Sequence, residues 1–363
     1  MKHDWKYIKL GDIISPAKVV RNGANKKFPV LSITMRDGIV LQSSRFKKSI
    51  ASVDTSDYKV VYNGQLVIAF PIDEGLIYTQ DIADAGIMSH AYNVWNVDFL
   101  EIDRKFLVLY LHCPFSMAYY KSKLRGTTMR RRSMPKEDLL NMPLPVPSFS
   151  VQQSIVSELD KINELIRLKK EQLKDYDNLA QSIFYEMFGD PVVNEKGWEV
   201  KKFADLYKLK SGDSLSAKNF VEGEIPVYGG NGISGYHNDF NMDGDFIIIG
   251  RVGVYCGNVR EVHGKFWLTD NAFQLFYNRE IQYPCFIHYL LEILDLHHYA
   301  NAAAQPVISN LTLKDVEIII PPLPLQQLFA QRIELIERQK AEIQNTIADL
   351  ETLLASRMQY WFD

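Results

Sequence analysis

Two stretches of the chain carry the spacing of a long amphipathic helix. Apolar side chains recur every three or four residues between positions 159 and 187, and again between positions 329 and 361. Eight of nine seam positions in the first stretch, and eight of ten in the second, are apolar or aromatic. A seam sustained over several turns is typical of a coiled coil. The predicted interface positions are Leu159, Ile162, Ile166, Leu173, Tyr176, Ile183, Ile333, Ile336, Ile343, Ile347, Leu350 and Leu354.

The flanking residues bound these helices. Three prolines precede each one, at positions 143, 145 and 147 and at 321, 322 and 324, and they predict a stiff, extended entry that cannot continue a strand. Gly189 followed by Pro191 predicts the end of the first helix. A helix of 38 residues, from Val151 to Phe188, would be about 57 Å long at ~1.5 Å per residue. Each helix could pack only on its own domain, but two matched seams favour pairing with each other.

The chain before each helix has a different pattern. Short β-rich runs such as Gln65–Phe70 and Asp245–Ile249 alternate with Gly, Asn and Asp turns. No long helical period organises the apolar residues there. This pattern predicts a compact mixed α/β domain ahead of each helix.

Three segments recur in the same order, which indicates an internal repeat. WKYIKLGDI (5–13) matches WEVKKFADL (198–206), residues 139–156 match 313–330 through a proline pair and a Gln-Gln, and residues 183–190 match 356–363. From the tryptophan to the Gln-Gln the copies span 147 and 128 residues. The repeat predicts a domain at 1–147, a helix at 148–190, a second domain at 191–321 and a second helix at 322–363.

Composition narrows the class of protein. Apolar residues make up 47% and charged residues 23% of the chain, as in ordinary globular proteins. No apolar run approaches the ~20 residues that cross a bilayer, and the first residues do not resemble a secretory signal. The three cysteines, Cys113, Cys256 and Cys285, are far apart, which suits a reducing cytosol rather than a disulfide framework. We therefore expect a cytoplasmic protein.

The net charge of −3 hides an asymmetry. Residues 1–150 carry 21 Lys and Arg against 14 Asp and Glu, a surplus of +7, whereas residues 191–322 carry 11 against 16. A local cationic surplus is compatible with nucleic-acid binding even when the whole chain is near neutrality. Composition alone would not have indicated DNA.

Several motifs resemble catalytic or cofactor sites without their context. Gly230, Gly232 and Gly235 have dinucleotide-binding spacing, but no convincing helix follows them. Cysteine and histidine residues between positions 285 and 298 fit no standard zinc pattern. No N-P-P-Y or D-P-P-Y string is present. We therefore expect no metal, no bound cofactor and no catalytic residue in this chain.

The chain resembles a known family at several motifs. The string P-L-P-L-Q-Q (322–327), the long helix after it, and F-G-D-P followed by Trp198 are similar to specificity subunits of type I restriction–modification systems. Two further stretches resemble the target-recognition domains of that family. They are YKVVYNGQLVIAFPI (58–72) with GIMSHAYNVW (86–95), and YGGNGISGYHNDF (228–240) with IIIGRVGVYCGNV (247–259) and WLTDNAF (267–273).

The resemblance implies both a fold and a division of labour. It implies an α+β fold with two mixed α/β target-recognition domains, a long antiparallel two-helix coiled coil between them and an internal pseudo-two-fold repeat. Each domain would read one half of a bipartite, asymmetric DNA site. Two methyltransferase (M) subunits would bring S-adenosylmethionine, and restriction (R) subunits, which use ATP and magnesium, would cut unmodified DNA. Partners would be double-stranded DNA and these subunits, with no membrane.

Candidate DNA contacts follow from residue chemistry. Phosphate contacts favour Arg and Lys, whereas base edges favour bidentate Arg, Asn or Gln. The densest basic cluster of the first domain lies beside Gly126, although a solvated charge run would look the same. The candidates are Thr34, Arg36, Lys47, Lys48, Arg125, Arg130, Arg131 and Arg132 in the first domain, and Asn231, Tyr236, Arg251 and Asn271 in Gly-rich turns of the second.

Two other classes of function stay open from the sequence. The chain could itself methylate or cut DNA, although the missing methyltransferase strings count against this. It could also be a non-catalytic coiled-coil adaptor, although its two turn-rich domains are large for simple caps.

Overall fold

The structure is a computed structural model that describes residues 4–23, 28–35, 37–45, 54–125, 134–301 and 305–362. The chain divides into two compact units, one formed by Met1–Lys169 with Thr346–Asp363 and the other by Lys170–Asn345. Each unit therefore contains one irregular domain and a part of both long helices. The domain boundaries expected at residues 147, 190 and 321 stay predictions, because compactness divides the helices between the units.

The first domain is built from several small antiparallel sheets. One sheet has four strands in the order β2-β9-β6-β7, and the pairs β1-β10, β3-β4 and β5-β8 form two-stranded sheets. The strands are β1 Lys6–Lys9, β2 Ile14–Pro16, β3 Leu31–Thr34, β4 Gly38–Leu41, β5 Lys59–Tyr62, β6 Leu66–Ile68, β7 Ile77–Thr79, β8 Ala85–Met88, β9 Asn93–Val97 and β10 Pro143–Val146. The helices are α1 Gln42–Arg45, α2 Arg104–Leu111, α3 Pro114–Lys123 and α4 Lys136–Leu140, followed by the long α5 Phe149–Phe188.

The second domain is organised around one larger sheet. Its order is β12-β17-β15-β16-β13-β14, antiparallel except where β13 pairs with β16. The strands are β11 Glu199–Lys202, β12 Lys208–Ser211, β13 Ile225–Gly229, β14 Gly232–His237, β15 Met242–Gly250, β16 Val259–Leu268, β17 Ala272–Phe276 and β18 Glu317–Ile320. The helices are α6 Phe203–Leu206, α7 Pro284–Ile293 and α8 Asn310–Leu313, followed by the long α9 Leu323–Phe362.

The repeated sequence segments pair with each other inside each unit. Strand β1 pairs antiparallel with β10, and β11 pairs antiparallel with β18. One residue beyond each pair, the Leu10 N–H donates to Met142 O and the Phe203 N–H donates to Val316 O, both at 2.8 Å. The first and last segments of each repeat thus form the strand pair from which a long helix starts.

The prolines before the first helix required a correction. They were expected to exclude a strand, yet Pro143 and Pro145 lie in β10. Leu10 and Met142 form a hydrogen-bonded pair, so positions 143 and 145 fall in the alternate, non-hydrogen-bonded pairs of the ladder. A proline loses no ladder hydrogen bond at such a position, which is how β10 accommodates both of them.

The two long helices are each 40 residues long. The first begins at Phe149, between the two predicted starts at residues 148 and 151. It ends at Phe188, before Gly189 with its φ of 77°, as the Gly189–Pro191 signal predicted. In the second unit Asp177 pairs with Lys340 and Phe184 contacts Phe329, so the helices run antiparallel there. The predicted fold class, mixed helix and strand with repeated domains and an antiparallel coiled coil, is confirmed.

The seam positions face the interior of their units. Leu159, Ile162, Ile166, Ile333, Ile336, Ile343 and Ile347 are buried. Leu173, Tyr176, Ile183, Leu350 and Leu354 are half-buried. The two cations on the second seam have acidic partners: Lys340 binds Asp177 at 2.8 Å, and Arg357 binds Glu158.

Each unit closes its core with a phenylalanine at the end of a long helix. In the first unit Phe362 packs against Phe106 of α2, with ring centroids 5.5 Å apart. In the second, Phe188 packs against Phe286 of α7 at 4.7 Å. Both phenylalanines are buried, so the repeat extends from the strand pair to the aromatic end of the helix.

Candidate nucleic-acid interface

Two of the DNA contacts predicted in the first domain, Thr34 and Arg125, are among the residues that the structure describes. Thr34 lies at the end of β3, where its hydroxyl donates to Gly38 O at 3.1 Å and accepts from the Asp37 N–H at 2.9 Å. These bonds close the β3–β4 hairpin, so the hydroxyl already has a structural role. Arg125 is exposed, and its guanidinium lies 3.5 Å from Asp138. Neither side chain forms a dedicated anion site.

The remaining candidates of the first domain, Arg36, Lys47, Lys48, Arg130, Arg131 and Arg132, lie outside the described residues. Nine of the 21 Lys and Arg of residues 1–150 lie in such ranges, and none of the 14 Asp and Glu do. The cationic surplus of the first half of the chain therefore belongs to these segments of sequence. Their role in DNA contact stays a prediction.

In the second domain a cavity of 510 Å³ opens beside the β13–β14 hairpin. Asn231, at the hairpin turn, and Asn271, in the turn just before β17, both line it. The turn packs closely: a Cβ on Gly230 would lie 3.0 Å from Val252 O and 3.1 Å from Asn271 O. Glycine at position 230 thus brings these two amide side chains to one cavity.

The lining of this cavity mixes apolar and polar side chains, and none of the lining residues that the structure describes is charged. Amide, hydroxyl and backbone groups can donate and accept hydrogen bonds there, and Phe220 supplies an aromatic ring. Such groups suit base edges better than phosphates, since asparagine and glutamine can bind adenine through two hydrogen bonds. The polar lining side chains are Ser216, Asn231, Ser234, Thr269, Asn271 and Gln305.

The other two candidates of the second domain lie apart from this lining. The Arg251 guanidinium donates to Ser211 Oγ at 3.2 Å and Asp270 O at 3.3 Å, and it lies over the Phe273 ring. It is held within its own domain, although its backbone N–H binds Asn271 O. Tyr236 is 55% exposed on β14. The structure therefore brings Asn231 and Asn271 together and leaves Tyr236 on the open strand.

The sequence did not single out Ser234, Thr269 or Gln305. Gln305 is far from the hairpin in sequence, and only the folded chain brings it to the cavity. Thr269 and Ser234 were detectable only as polar residues within turn-rich segments. The glycine pattern at 230, 232 and 235 belongs to a β-hairpin, so no helix follows it to bind a pyrophosphate.

The cysteine and histidine residues that the structure describes in the second unit are not gathered into a metal-binding cluster. Within the described ranges no group of three His, Cys, Asp or Glu side chains is arranged to hold a metal ion. Cys285 and His288 line a cavity of 660 Å³, but burial raises the pKa of the Cys285 thiol to about 12, so it stays protonated. His297 lies 3.2 Å from the Cys256 sulfur.

A family comparison decides the class of the protein. The model described as "Type I restriction modification DNA specificity domain" matches residues 2–175 and 195–352. The chain belongs to this family. The family domain occurs twice, once on each sequence repeat, in agreement with the matched strand pairs and long helices.

Curated relatives carry the same family name. The specificity subunit of the EcoprrI type I restriction enzyme of Escherichia coli is 29% identical over 245 residues, 63% of this chain and 59% of that protein. A putative type I specificity subunit of Mycoplasma pneumoniae is 27% identical over 201 residues, 53% of this chain and 82% of that protein. The match thus spans about three fifths of the length of the E. coli relative.

Solved structures share the fold at low sequence identity. The specificity subunit of a type I restriction–modification system from M. genitalium gives a TM-score of 0.55 at 15% identity, covering 99% of this chain and 96% of that one. A second solved chain, from work on complex assembly and conformational transition of the type I restriction–modification system, gives a TM-score of 0.61 at 19% identity. That match covers 99% of this chain and 97% of the other.

A separate observation concerns membranes. None of the helices in the described part of the chain has both the length and the apolar character that crossing a bilayer requires.

Proposed function

We propose that this specificity-family chain is the DNA-reading subunit of a type I restriction–modification complex and has no catalytic site of its own. The observation that carries the proposal is the contrast inside the repeat. The strand pair, the long helix and its closing phenylalanine recur in both units, whereas the sheets of the two domains differ. Two different readers on matched scaffolds suit a bipartite, asymmetric site.

The two domains would contact DNA in different ways. The basic segments of the first domain, Arg130–Arg132 above all, would bind phosphates and orient the chain on the duplex. In the second domain the uncharged cavity beside Asn231 and Asn271 would read base edges. The acidic composition of the second domain adds little attraction for phosphates, so binding by the chain alone would be weak.

The partners would supply the chemistry. Two methyltransferase subunits, one for each repeat, would bind the helical region with S-adenosylmethionine, and restriction subunits would act with ATP and magnesium. The repeat supports two copies, because matched scaffolds offer two equivalent surfaces. One structural relative comes from work on complex assembly in the type I system, which is consistent with such partners.

Methylation mapping tests the proposal. The chain would be expressed with its methyltransferase subunits in a host that lacks adenine methylation, and methylated adenines would be mapped across the genome. We expect one two-part, non-palindromic motif with a fixed gap. Methyltransferase subunits without the chain serve as the control and should leave the motif unmethylated.

The alternative functions predict other outcomes. A coiled-coil adaptor would leave the methylated motif the same whether or not the chain is present. A stand-alone methyltransferase would methylate DNA without the partner subunits. Replacing the first domain, residues 1–147, with that of a relative should change one half of the motif only; a change in both halves would contradict two independent readers.

A further inference from the structure

A buried glutamine joins the first domain to its long helix. Gln152, the fourth residue of α5, is fully buried. Its side-chain oxygen accepts the N–H of Asp103, the N-cap residue of α2, at 2.7 Å. Its side-chain nitrogen donates to Glu101 O and Pro147 O, both at 2.9 Å. One side chain thus binds the start of a domain helix, the loop before it and the entry to the long helix.

The second unit repeats this arrangement atom for atom. Gln326, the fourth residue of α9, is fully buried. Its oxygen accepts the N–H of Tyr283, the N-cap residue of α7, at 2.8 Å. Its nitrogen donates to Ile281 O at 3.0 Å and Pro321 O at 2.7 Å. In both units the oxygen accepts from the N-cap residue of a domain helix, and the nitrogen donates to the carbonyl two residues before that N-cap and to the proline carbonyl five residues before the glutamine.

The chemistry of the clamp requires an amide. One acceptor and two donors must come from a single uncharged group, which is the inventory of a glutamine side chain. A glutamate of the same length would turn an oxygen toward two carbonyl oxygens and bury a charge. The next residues, Gln153 and Gln327, are exposed and take no part in these bonds. Two domains with different sheets thus keep the same attachment, which general core packing would not require.

We propose that Gln152 and Gln326 are positioning residues that fix the angle of each recognition domain on its long helix. Each glutamine sets where its domain meets a half-site, and the pair therefore fixes the spacing that the chain accepts. The inference rests on the proposed function for its consequence on DNA. The clamp itself can be tested on the chain without DNA.

The experiment uses the full chain, alone and in complex with its methyltransferase subunits. The variants are Gln152→Glu and Gln326→Glu, and the controls are Gln153→Glu and Gln327→Glu, which add the same charge at exposed neighbours. Methylation is measured on duplexes that carry both half-sites at the native gap and at gaps one base pair shorter and longer. We expect the preference for the native gap to fall at least tenfold in the clamp variants and to stay unchanged in the controls.

The outcomes separate positioning from general stability. A purely structural role would lower methylation equally at all three gaps, and an unchanged gap preference in folded variants would overturn the proposal. If a Glu variant fails to fold, Gln152→Met and Gln326→Met, which bury no charge, replace it in the same assay.

A second measurement is independent of DNA recognition. In the free chain, hydrogen exchange at the Asp103 amide should accelerate at least tenfold in Gln152→Met, which removes the oxygen that accepts this N–H. Exchange at the Tyr283 amide should accelerate likewise in Gln326→Met. Unchanged exchange would overturn the clamp even if the wild-type complex methylates a two-part site. Accelerated exchange together with a wild-type complex that shows no sequence preference would instead contradict the proposed function.

Discussion

The two recognition domains differ more from each other than do the scaffolds that carry them. The first domain divides its strands among small sheets, and the second builds most of them into one six-stranded sheet. Yet both start a 40-residue helix from a two-stranded sheet, bind it through a buried glutamine and close it with a phenylalanine. Structure is held constant where the domains attach and is free to vary elsewhere, as reading two unlike half-sites would require.

The domains also differ in the charge that they can offer DNA. The cationic surplus of residues 1–150 lies in segments such as Arg130–Arg132, whereas residues 191–322 carry a surplus of acids. The cavity beside the β13–β14 hairpin of the second domain has no charged side chain among its described lining residues. We infer that the first domain contributes mostly phosphate attraction and the second mostly hydrogen bonding to bases.

Truncating the phenylalanine that closes the core of a unit should have the largest effect of the changes considered. Phe188 has ring neighbours at 4.7, 5.0 and 5.4 Å, whereas Phe362 has two at 5.5 and 5.8 Å. We expect Phe188→Ala to lower the free energy of unfolding by about 3–5 kcal/mol, because truncating a buried phenylalanine leaves a cavity. Phe362→Ala should cost less, since this ring has fewer aromatic neighbours and they lie farther away. Urea unfolding measures both, with exposed Leu179→Ala as the control; equal losses would contradict the difference between the units.

Removing the basic cluster tests the difference in charge. We expect the triple change of Arg130, Arg131 and Arg132 to Ala to weaken DNA binding by the assembled complex roughly uniformly across sequences. If all three bind phosphates, the slope of log affinity against log salt should become shallower by about 2.7, at ~0.9 per contact. Changing two exposed lysines of the second domain, Lys208 and Lys210, to Ala should alter the slope less per charge removed. An unchanged slope in the triple variant would show that the cluster is a solvated charge run.

The glycine turn of the second domain offers a smaller, local test. A Cβ at Gly230 meets two backbone oxygens at 3.0 and 3.1 Å, whereas a Cβ at neighbouring Gly229 meets its nearest atom at 3.6 Å. We expect Gly230→Ala to destabilise the chain by about 1–3 kcal/mol through overpacking. It should also relax base preference in one half of the methylated motif, because Asn231 moves relative to Asn271. Gly229→Ala is the control, and equal effects of the two variants on the motif would count against this cavity as a reader.

Much of the scaffold could be predicted from the sequence because it rests on local periodicity. The seam from Leu159 to Met187 and the glycine at position 189 determine a helix through neighbours in the chain. The strand pair was harder, because Pro143 and Pro145 are poor strand residues, and only the register with β1 shows that neither needs its missing N–H. A pattern of residue types contains no information on which side of a ladder an N–H faces.

The candidate interface was less predictable for the same reason. Asn231 and Asn271 could be chosen as amides in glycine-rich turns, but their shared cavity depends on tertiary packing against Val252 and Gln305. Gln152 and Gln326 were visible as a repeated pair with their exposed neighbours. Their role was not, because the alternation of buried and exposed glutamine depends on the domain helix that each one meets.

The two ion pairs between the long helices, one in each unit, should lose their stabilising effect at opposite ends of the pH range. In the first unit, hydrogen bonds from Arg357 hold the pKa of Glu158 below its usual 4.5, against the opposing effect of burial. In the second, burial alone would lower the pKa of Lys340, but bonds to Asp177 and Glu337 raise it above its usual 10.5. The carboxylate stabilises the folded chain above pH 4.5 and loses this effect as pH falls through its lower folded-state pKa. The lysine stabilises it below pH 10.5 and loses this effect as pH rises through its higher folded-state pKa.

Two variants should therefore act at opposite ends of the pH range. We expect Glu158→Gln to lower the Tm by about 2–4 °C near pH 7, and the difference from the wild type to shrink as the solution is made more acidic than pH 4.5. Lys340→Met should differ little near pH 7, because an apolar side chain can replace a seam ion pair at small cost. It should reduce the alkaline loss of stability above pH 10.5 only by the part that Lys340 contributes. Thermal unfolding of each variant against the wild type from pH 3 to pH 11 measures both effects. A Glu158→Gln difference that persisted unchanged at pH 3 would mean that the charge of this carboxylate does not hold the first seam.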